Sequence, residues 1–265
     1  MKNLLRVLAF TLLVGVSFQS CKKDKKTVTD PVVENPVTVT PSTSTGIMKI
    51  RFNNQVDGDS LVLGKTYMNA NGETYSISKF NYFISNIVLT KNDNSTISVD
   101  LYQIINQSED TSKTMVLKGI PEGSYKAVKL MLGVDSAHNR SGAQTGGLDV
   151  GYAHDMYWNW NQGYISLKLE GKSPASPDGS ITYHMGGFSG AYKTQREFIF
   201  NFITELAITK NTLPQLNLLV NVNEMFKSPT IISFVNDNIT VGPDKTSAKI
   251  ANNYADMITF GSLKN

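Results

Sequence analysis

Apolar and polar residues alternate with a period of two along most of the chain after residue 47, and this pattern predicts β-strands. Ile165, Leu167 and Leu169, for example, share one face of a predicted strand. Repeated short strands separated by turn residues predict an all-β domain, an antiparallel β-sandwich. Strands are predicted near residue 50 and at 84–90, 96–105, 114–118, 124–134, 164–170, 181–184, 197–202 and 216–222.

Two pairs of these strands are separated by turn sequences and predict hairpins. Lys91–Asn94 joins the first pair, and Ile120–Gly123 joins the second. Two segments depart from the strand pattern. Residues 223–226 predict one short turn. Residues 247–259 carry apolar residues at helical spacing after a candidate cap at Thr246 or Ser247. This spacing predicts a short C-terminal helix.

The N-terminus has the pattern of a signal peptide over residues 1–20. Lys2 and Arg6 precede an apolar run from Val7 to Val16, which is too short to cross a bilayer. Cys21 directly follows the predicted signal peptide. It is the only cysteine of the chain, so an intramolecular disulfide is excluded. The sequence around it resembles a lipobox, which implies a lipid-anchored protein of the bacterial cell envelope, periplasmic or on the outer-membrane surface. The alternative is an ordinary signal peptide with a chance cysteine.

Residues 21–46 predict a tether between this anchor and one domain at 47–265. The segment is rich in Lys, Thr, Val and Pro, and its start resembles lipoproteins of the Bacteroidota. Six of the 25 basic residues and three of the 22 acidic residues lie before residue 47, so the domain has balanced charge. A neutral domain argues against a nucleic-acid ligand. We expect a monomer that meets the membrane through its anchor.

Two stretches interrupt the strand pattern, at 135–162 and at 182–188, and long loops in a compact domain are often functional. They contain every histidine and tryptophan of the chain: His138, His154, His184, Trp158 and Trp160. Imidazole is a common ligand of copper and zinc. Each histidine also has a structural interpretation, as a turn cap, a solvated loop residue or a core residue, respectively. The two tryptophans, spaced by two, are compatible with one face of a buried strand.

Motifs of enzymes are missing from the sequence. The glycine-rich stretch 142–147 lacks the Lys-Ser/Thr ending of a phosphate-binding loop. No Gly-x-Ser-x-Gly turn supports a catalytic triad, and no carboxylate pair is marked for glycoside hydrolysis. We therefore expect a protein that is not an enzyme.

Several segments resemble the MbnP-like copper-binding family, across about residues 47–220. The most specific is Met156–Ile165, with its Trp-x-Trp-x-x-Gly-Tyr core. The others are Ile84–Leu89, Gly133–Ser136, Ser141–Gly146, Lys168–Gly171 and Tyr183–Gly187.

The resemblance implies a β-rich envelope protein that binds one copper ion through histidines and a tryptophan oxidised to kynurenine. A di-haem, peroxidase-like partner carries out that oxidation in the family. The residues that carry over are His184, His154, His138 and Trp158, with His184 in the best-matched motif. Because Cys21 is the only thiol, a copper site here has nitrogen and oxygen donors.

Two other classes of function are compatible with the sequence. Aromatic residues such as Tyr152, Tyr157, Trp158 and Trp160 suit a module that binds glycans or another surface protein. A hydrolase that uses His184 or Asp135 is the third possibility.

Overall fold

The computed structural model describes residues 44–141, 144–153, 155–159 and 163–265. The predicted signal peptide, Cys21 and nearly all of the tether lie outside these residues, as do His154 and Trp160. In the described part of the chain, no helix is long and apolar enough to cross a membrane.

The described chain is built mainly from strands, in agreement with the predicted all-β class. The strands are β1 (Thr45–Val56), β2 (Asp59–Ser60), β3 (Thr66–Met68), β4 (Thr74–Lys91), β5 (Thr96–Val99), β6 (Gln103–Asn106), β7 (Thr114–Pro121), β8 (Gly123–Leu132), β9 (Tyr157–Trp158), β10 (Gly163–Lys172), β11 (Ser180–Gly186), β12 (Arg196–Ile208), β13 (Gln215–Asn221), β14 (Ile239–Val241) and β15 (Ile258–Lys264). The helices are α1 (Ser136–Arg140) and α2 (Lys245–Asn253). Short 3₁₀ turns cover Asp110–Lys113, Gly146–Leu148, Gly190–Tyr192, Val222–Phe226 and Tyr254–Asp256.

The strands form two sheets. The smaller has the order β15-β13-β1, with β2 and β7 both paired to β1. The larger has the order β12-β8-β4-β10-β11-β14, with β3, β5 and β6 added on β4 and β9 on β10. Most neighbours are antiparallel, but β1 pairs with β13 and β11 with β14 in parallel.

One continuous hydrophobic core lies between the two sheets. Phe52 of β1 contacts Tyr82 of β4 edge to face, with ring centroids 6.1 Å apart. The Tyr82 hydroxyl donates a hydrogen bond of 2.8 Å to Asn54 Oδ1, so its polar end is satisfied inside the core. The arrangement confirms the predicted β-sandwich.

The second predicted hairpin is wrong. Strand β7 pairs with β1 in the small sheet, whereas β8 pairs with β4 and β12 in the large sheet. The chain therefore crosses between the sheets at Pro121–Gly123. Both strands place alternate side chains in the same core. A hairpin turn within one sheet and a crossing between two sheets therefore have the same sequence pattern.

The C-terminal helix begins and ends earlier than predicted. Asp244, rather than Thr246 or Ser247, caps α2, and its side chain accepts from the Ser247 N–H in a capping box. Tyr254 begins a 3₁₀ turn, Met257 follows that turn, and Ile258 begins β15, which pairs with β13. The predicted strand 96–105 is likewise divided into β5 and β6.

A second, smaller core lies at one end of the large sheet. The segment between β8 and β10 folds back over this end and buries Met156 and Trp158 against Phe83, Tyr164 and Ile165. The side chain of Asn139 holds the segment in place, because it donates to Val134 O and accepts from the Tyr164 N–H. This explains why the long loop contains so many apolar residues.

Strand β13 lies between β1 and β15, so its inward side chains are central to the sandwich. We expect Leu218→Ala, which empties a fully buried position, to lower the free energy of unfolding by about 2–5 kcal/mol. Leu213→Ala is the matched control, because Leu213 is 51% exposed and should change stability by less than about 0.5 kcal/mol. Urea unfolding followed by circular dichroism measures both, and equal losses would contradict the placement of β13.

Candidate metal centre

His184 lies on the face of the large sheet that points away from the main core. Its Nε2 atom is 2.8 Å from Glu170 Oε1. A carboxylate only accepts, so Nε2 carries the proton and Nδ1 is the basic nitrogen. Glu170 lies on β10, two residues along from Lys168, which pairs directly with His184. The register of β10 and β11 therefore fixes the orientation of the imidazole.

Lys168 is a nearly buried lysine beside this histidine, with its side chain 4% exposed. Its Nζ atom is 2.9 Å from Asp155 Oδ2 and donates to the Asp155 carbonyl at 2.7 Å. Lys79 of β4 contacts the same carboxylate at 3.0 Å. Two ammonium groups thus hold the turn that precedes β9 against the sheet.

Burial and the surrounding charges shift the pKa of His184. Burial lowers the pKa of His184, and the positive charge of Lys168 acts in the same direction, while the Glu170 carboxylate opposes both. Burial would raise the pKa of Asp155, but hydrogen bonds from Lys168 and Lys79 outweigh it, and that pKa is lowered. Near neutral pH the site therefore offers a neutral imidazole among balanced charges.

Trp158 lies on the same face as His184. A Cβ atom built on Gly186 would come within 2.1 Å of the Trp158 ring, so the indole covers that glycine. Residues 184 and 186 of one strand point to the same face, so the indole covers the position two residues along β11 from His184. Trp158 is 6% exposed and lines a cavity of about 220 Å³ with Phe188 and Pro243.

His138 belongs to a different cluster. Its Nδ1 atom is 2.8 Å from Asp135 Oδ2 and 2.8 Å from the Tyr102 hydroxyl, which donates to the same carboxylate at 2.7 Å. Burial alone would raise the pKa of Asp135, but bonds from Tyr102 and His138 lower it. Burial and the Asp135 bond raise the pKa of Tyr102 well above its usual range.

Helix α1 separates this cluster from the Trp158 cavity. Ser136 donates to Phe188 O, and the Arg140 guanidinium lies 5.5 Å from the Phe188 ring centre. Residues two positions from His138 lie on the opposite side of a helix, because each residue turns the helix by about 100°. His138 therefore points away from the cavity lined by Trp158.

The structure thus brings two of the four predicted residues together, His184 and Trp158, and places His138 elsewhere. His154 lies outside the described residues, although its neighbour Asp155 contacts Lys168 beside His184. In the ranges that the structure describes, no group of three or more His, Cys, Asp and Glu side chains converges on one point.

The sequence patterns assigned no role to Glu170 or Lys168, whose side chains lie beside His184 in the structure. The signal that could have found them is the alternation along Lys168-Leu169-Glu170, which puts two charges on one face of a buried strand. Charged side chains are rarely buried without partners. This alternation therefore predicts a partner for each charge, and the structure shows His184 beside Glu170 and Asp155 beside Lys168.

The chain is similar to known proteins in sequence profile and in fold. The sequence profile of the MbnP family matches residues 45–246, which is most of the chain. MbnP from Methylosinus trichosporium is a similar solved structure, with a TM-score of 0.50 and 14% sequence identity. The match covers 72% of this chain and 80% of that protein, and it shows a shared fold. A search of curated proteins finds no match.

The Glu170 carboxylate stabilises the charged form of His184, so Glu170→Gln should lower the pKa of His184 further. Because this pKa already lies below that of an unfolded histidine, the unfolded chain binds more protons near pH 6, and stability falls as the pH falls. The measurement is an NMR titration of the ring protons, assigned with His184→Ala. Glu197→Gln is the control, since Glu197 pairs with Lys129. An unchanged or raised value would refute the contact.

The packing of Trp158 on Gly186 leaves no room for a methyl group. Gly186→Ala should displace the indole, shift its fluorescence to longer wavelength and cost about 1–3 kcal/mol of stability. Trp158 is one of two tryptophans, so the measurement is made in a Trp160→Phe background. Thr182→Ala, on the same face of β11, should leave the spectrum as it was. An unshifted spectrum in Gly186→Ala would show that the ring lies elsewhere.

Proposed function

The chain belongs to the MbnP family, and we propose that it is a non-enzymatic copper-binding protein of the bacterial cell envelope. The observation that carries this proposal is the pairing of His184 with Glu170 on the sheet face that Trp158 also occupies. Histidines that ligate metals commonly donate their other ring N–H to a carboxylate, which fixes the ring and raises the basicity of the ligand nitrogen. Glu170 has this relation to His184.

The donor chemistry of the region suits copper. His184 offers Nδ1. His154 directly precedes Asp155 in the chain, and Asp155 is bound to Lys168 beside His184. We assign His184 and His154 as imidazole ligands of one copper ion. Nitrogen donors without a thiolate are a normal copper environment. His138, held by Asp135 and Tyr102 on the other side of α1, is not part of this set.

The third proposed donor is Trp158 after conversion to kynurenine. Two oxygen atoms, from O₂ or from peroxide, open the indole ring, and hydrolysis then releases the formyl carbon as formate. The residue gains one oxygen atom, loses one carbon atom and acquires an aromatic amine. O₂ or peroxide is the oxidant, a di-haem, peroxidase-like enzyme is the proposed catalyst, and the cavity beside Trp158 gives the indole a route to solvent.

The anchor at Cys21 and the tether to residue 46 complete the proposal. A lipid-bound thiol leaves no sulfur donor for copper except thioethers, and a long tether lets the domain reach a partner enzyme in the envelope. Intact-mass measurement of the native protein should show both the lipid on Cys21 and the kynurenine change. Peptide mapping that finds Trp158 unmodified after co-expression with the di-haem enzyme would refute the modification.

We expect one copper per chain in protein co-expressed with the di-haem enzyme, measured by elemental analysis after gel filtration. His184→Ala and His154→Ala should each lower copper content to background, because each removes a ligand. Glu170→Gln should retain copper but weaken its affinity by about 10–100-fold, the usual effect of losing the group that orients a ligand.

His138→Ala is the matched control, since it removes an imidazole that the structure places on the other side of α1. Its copper content should equal that of the unmodified sequence. A loss of copper in His138→Ala with no effect of His184→Ala would overturn the assignment of ligands. A copper-free protein from the co-expression strain would overturn the proposed function.

A further inference from the structure

A groove on the other side of α1 is not used by the proposed copper site. Three neighbouring cavities, of about 270, 430 and 400 Å³, all have Tyr102 in their walls. Two of them also share Asp100. The larger two have volumes typical of small-molecule sites, which are about 300–1,000 Å³. The three cavities thus adjoin at Tyr102 and form one open groove.

The walls of the largest of the three cavities are mostly polar. His138, Gln144, Thr145 and Asp100 all line it. The Asp135 carboxylate holds Nδ1 of His138, so Nε2 is the nitrogen that accepts hydrogen bonds. This wall presents an imidazole nitrogen, an amide, a hydroxyl and a carboxylate, which together can both donate to and accept from hydroxyl groups.

A second of these cavities is mainly apolar and has two tyrosines in its wall. Tyr102 and Tyr152 line it together with Gly146 and Gly147. Tyr152 is 55% exposed, so much of its side chain is in contact with solvent. An aromatic ring next to a row of polar side chains is suited to a ligand with both a C–H face and hydroxyl groups.

Charge narrows the class of ligand. The third cavity contains the one cation found among the described lining residues, Lys129, and its Nζ atom is 3.1 Å from Glu197. Asp100 adds a negative charge to the groove. An anionic ligand would therefore meet carboxylates without a matching cation.

We propose that this groove binds a neutral oligosaccharide, with a sugar ring against Tyr152 and hydroxyl groups at His138, Gln144 and Asp100. Three adjoining cavities with a common wall give room for several sugar units rather than a single one. The site is separate from the proposed copper site and does not depend on copper.

Tyr102 is held rigidly enough to serve as the centre of such a site. Its hydroxyl is bound by Asp135 and His138, and its ring lies against the His138 ring with centroids 4.7 Å apart. On the other side, a Cβ on Gly147 would come within 1.9 Å of the Tyr102 carbonyl, so the two backbones are in direct contact. A wall that is already ordered loses little entropy when a ligand binds.

The test is binding of the full chain to an array of neutral and acidic oligosaccharides, followed by calorimetry with the best neutral ligand. Tyr152→Ala should weaken binding about tenfold, because a stacking surface is lost. Tyr192→Ala is the matched control, since Tyr192 is a 44% exposed tyrosine that does not line these cavities. Its affinity should be unchanged.

A second pair of variants separates this site from the copper site. His138→Ala should weaken the affinity for the oligosaccharide and leave the copper content unchanged. His184→Ala should lower the copper content and leave the affinity for the oligosaccharide unchanged. No binding to any neutral oligosaccharide, a preference for acidic ones, or equal loss in Tyr152→Ala and Tyr192→Ala would overturn the proposal. Each of these results leaves the copper proposal standing, so the two can fail separately.

Discussion

Strand β4 imposes the constraint on which the rest of the molecule depends. It is 18 residues long, and its backbone hydrogen bonds are satisfied on both edges, by β8 and β10 on one and by β3, β5 and β6 on the other. A single flat strand could not serve all five partners. The register shifts between Ser85 and Val88, where Asn86 has a φ of 50°, a conformation that asparagine tolerates better than most residues.

The consequence of this arrangement is that β4 and β10 are covered on both faces at one end. Phe83 and Tyr164 point away from the main core, and the segment between β8 and β10 must fold back to bury them. The same segment carries Asp135, His138, Asp155 and Trp158. Its apolar residues fix it to the sheet, and its polar residues are thereby placed at two separate positions on the surface.

Helix α1 divides these two positions. On one side, Lys168 and Lys79 are neutralised by Asp155 and Glu170, so His184 lies in a balanced group of charges next to Trp158. On the other, Asp135 caps α1 and fixes both His138 and Tyr102. In each cluster a carboxylate orients one ring nitrogen of a histidine and leaves the other for a ligand. Similar local chemistry thus serves a region that suits a metal and a region that suits a neutral ligand.

The sequence by itself determined the all-β class, most strand positions and the two stretches that carry every histidine and tryptophan, because period-two alternation and turn residues are local signals. Residue spacing alone could not tell a hairpin from the crossing between sheets at Pro121–Gly123, nor show that the end of the predicted helix is β15. Only the tertiary structure decided that Trp158 joins His184, while His138 joins Tyr102 and Asp135. Those pairings depend on strand register and on which side of α1 a residue faces, and both are set by contacts between residues far apart in the chain.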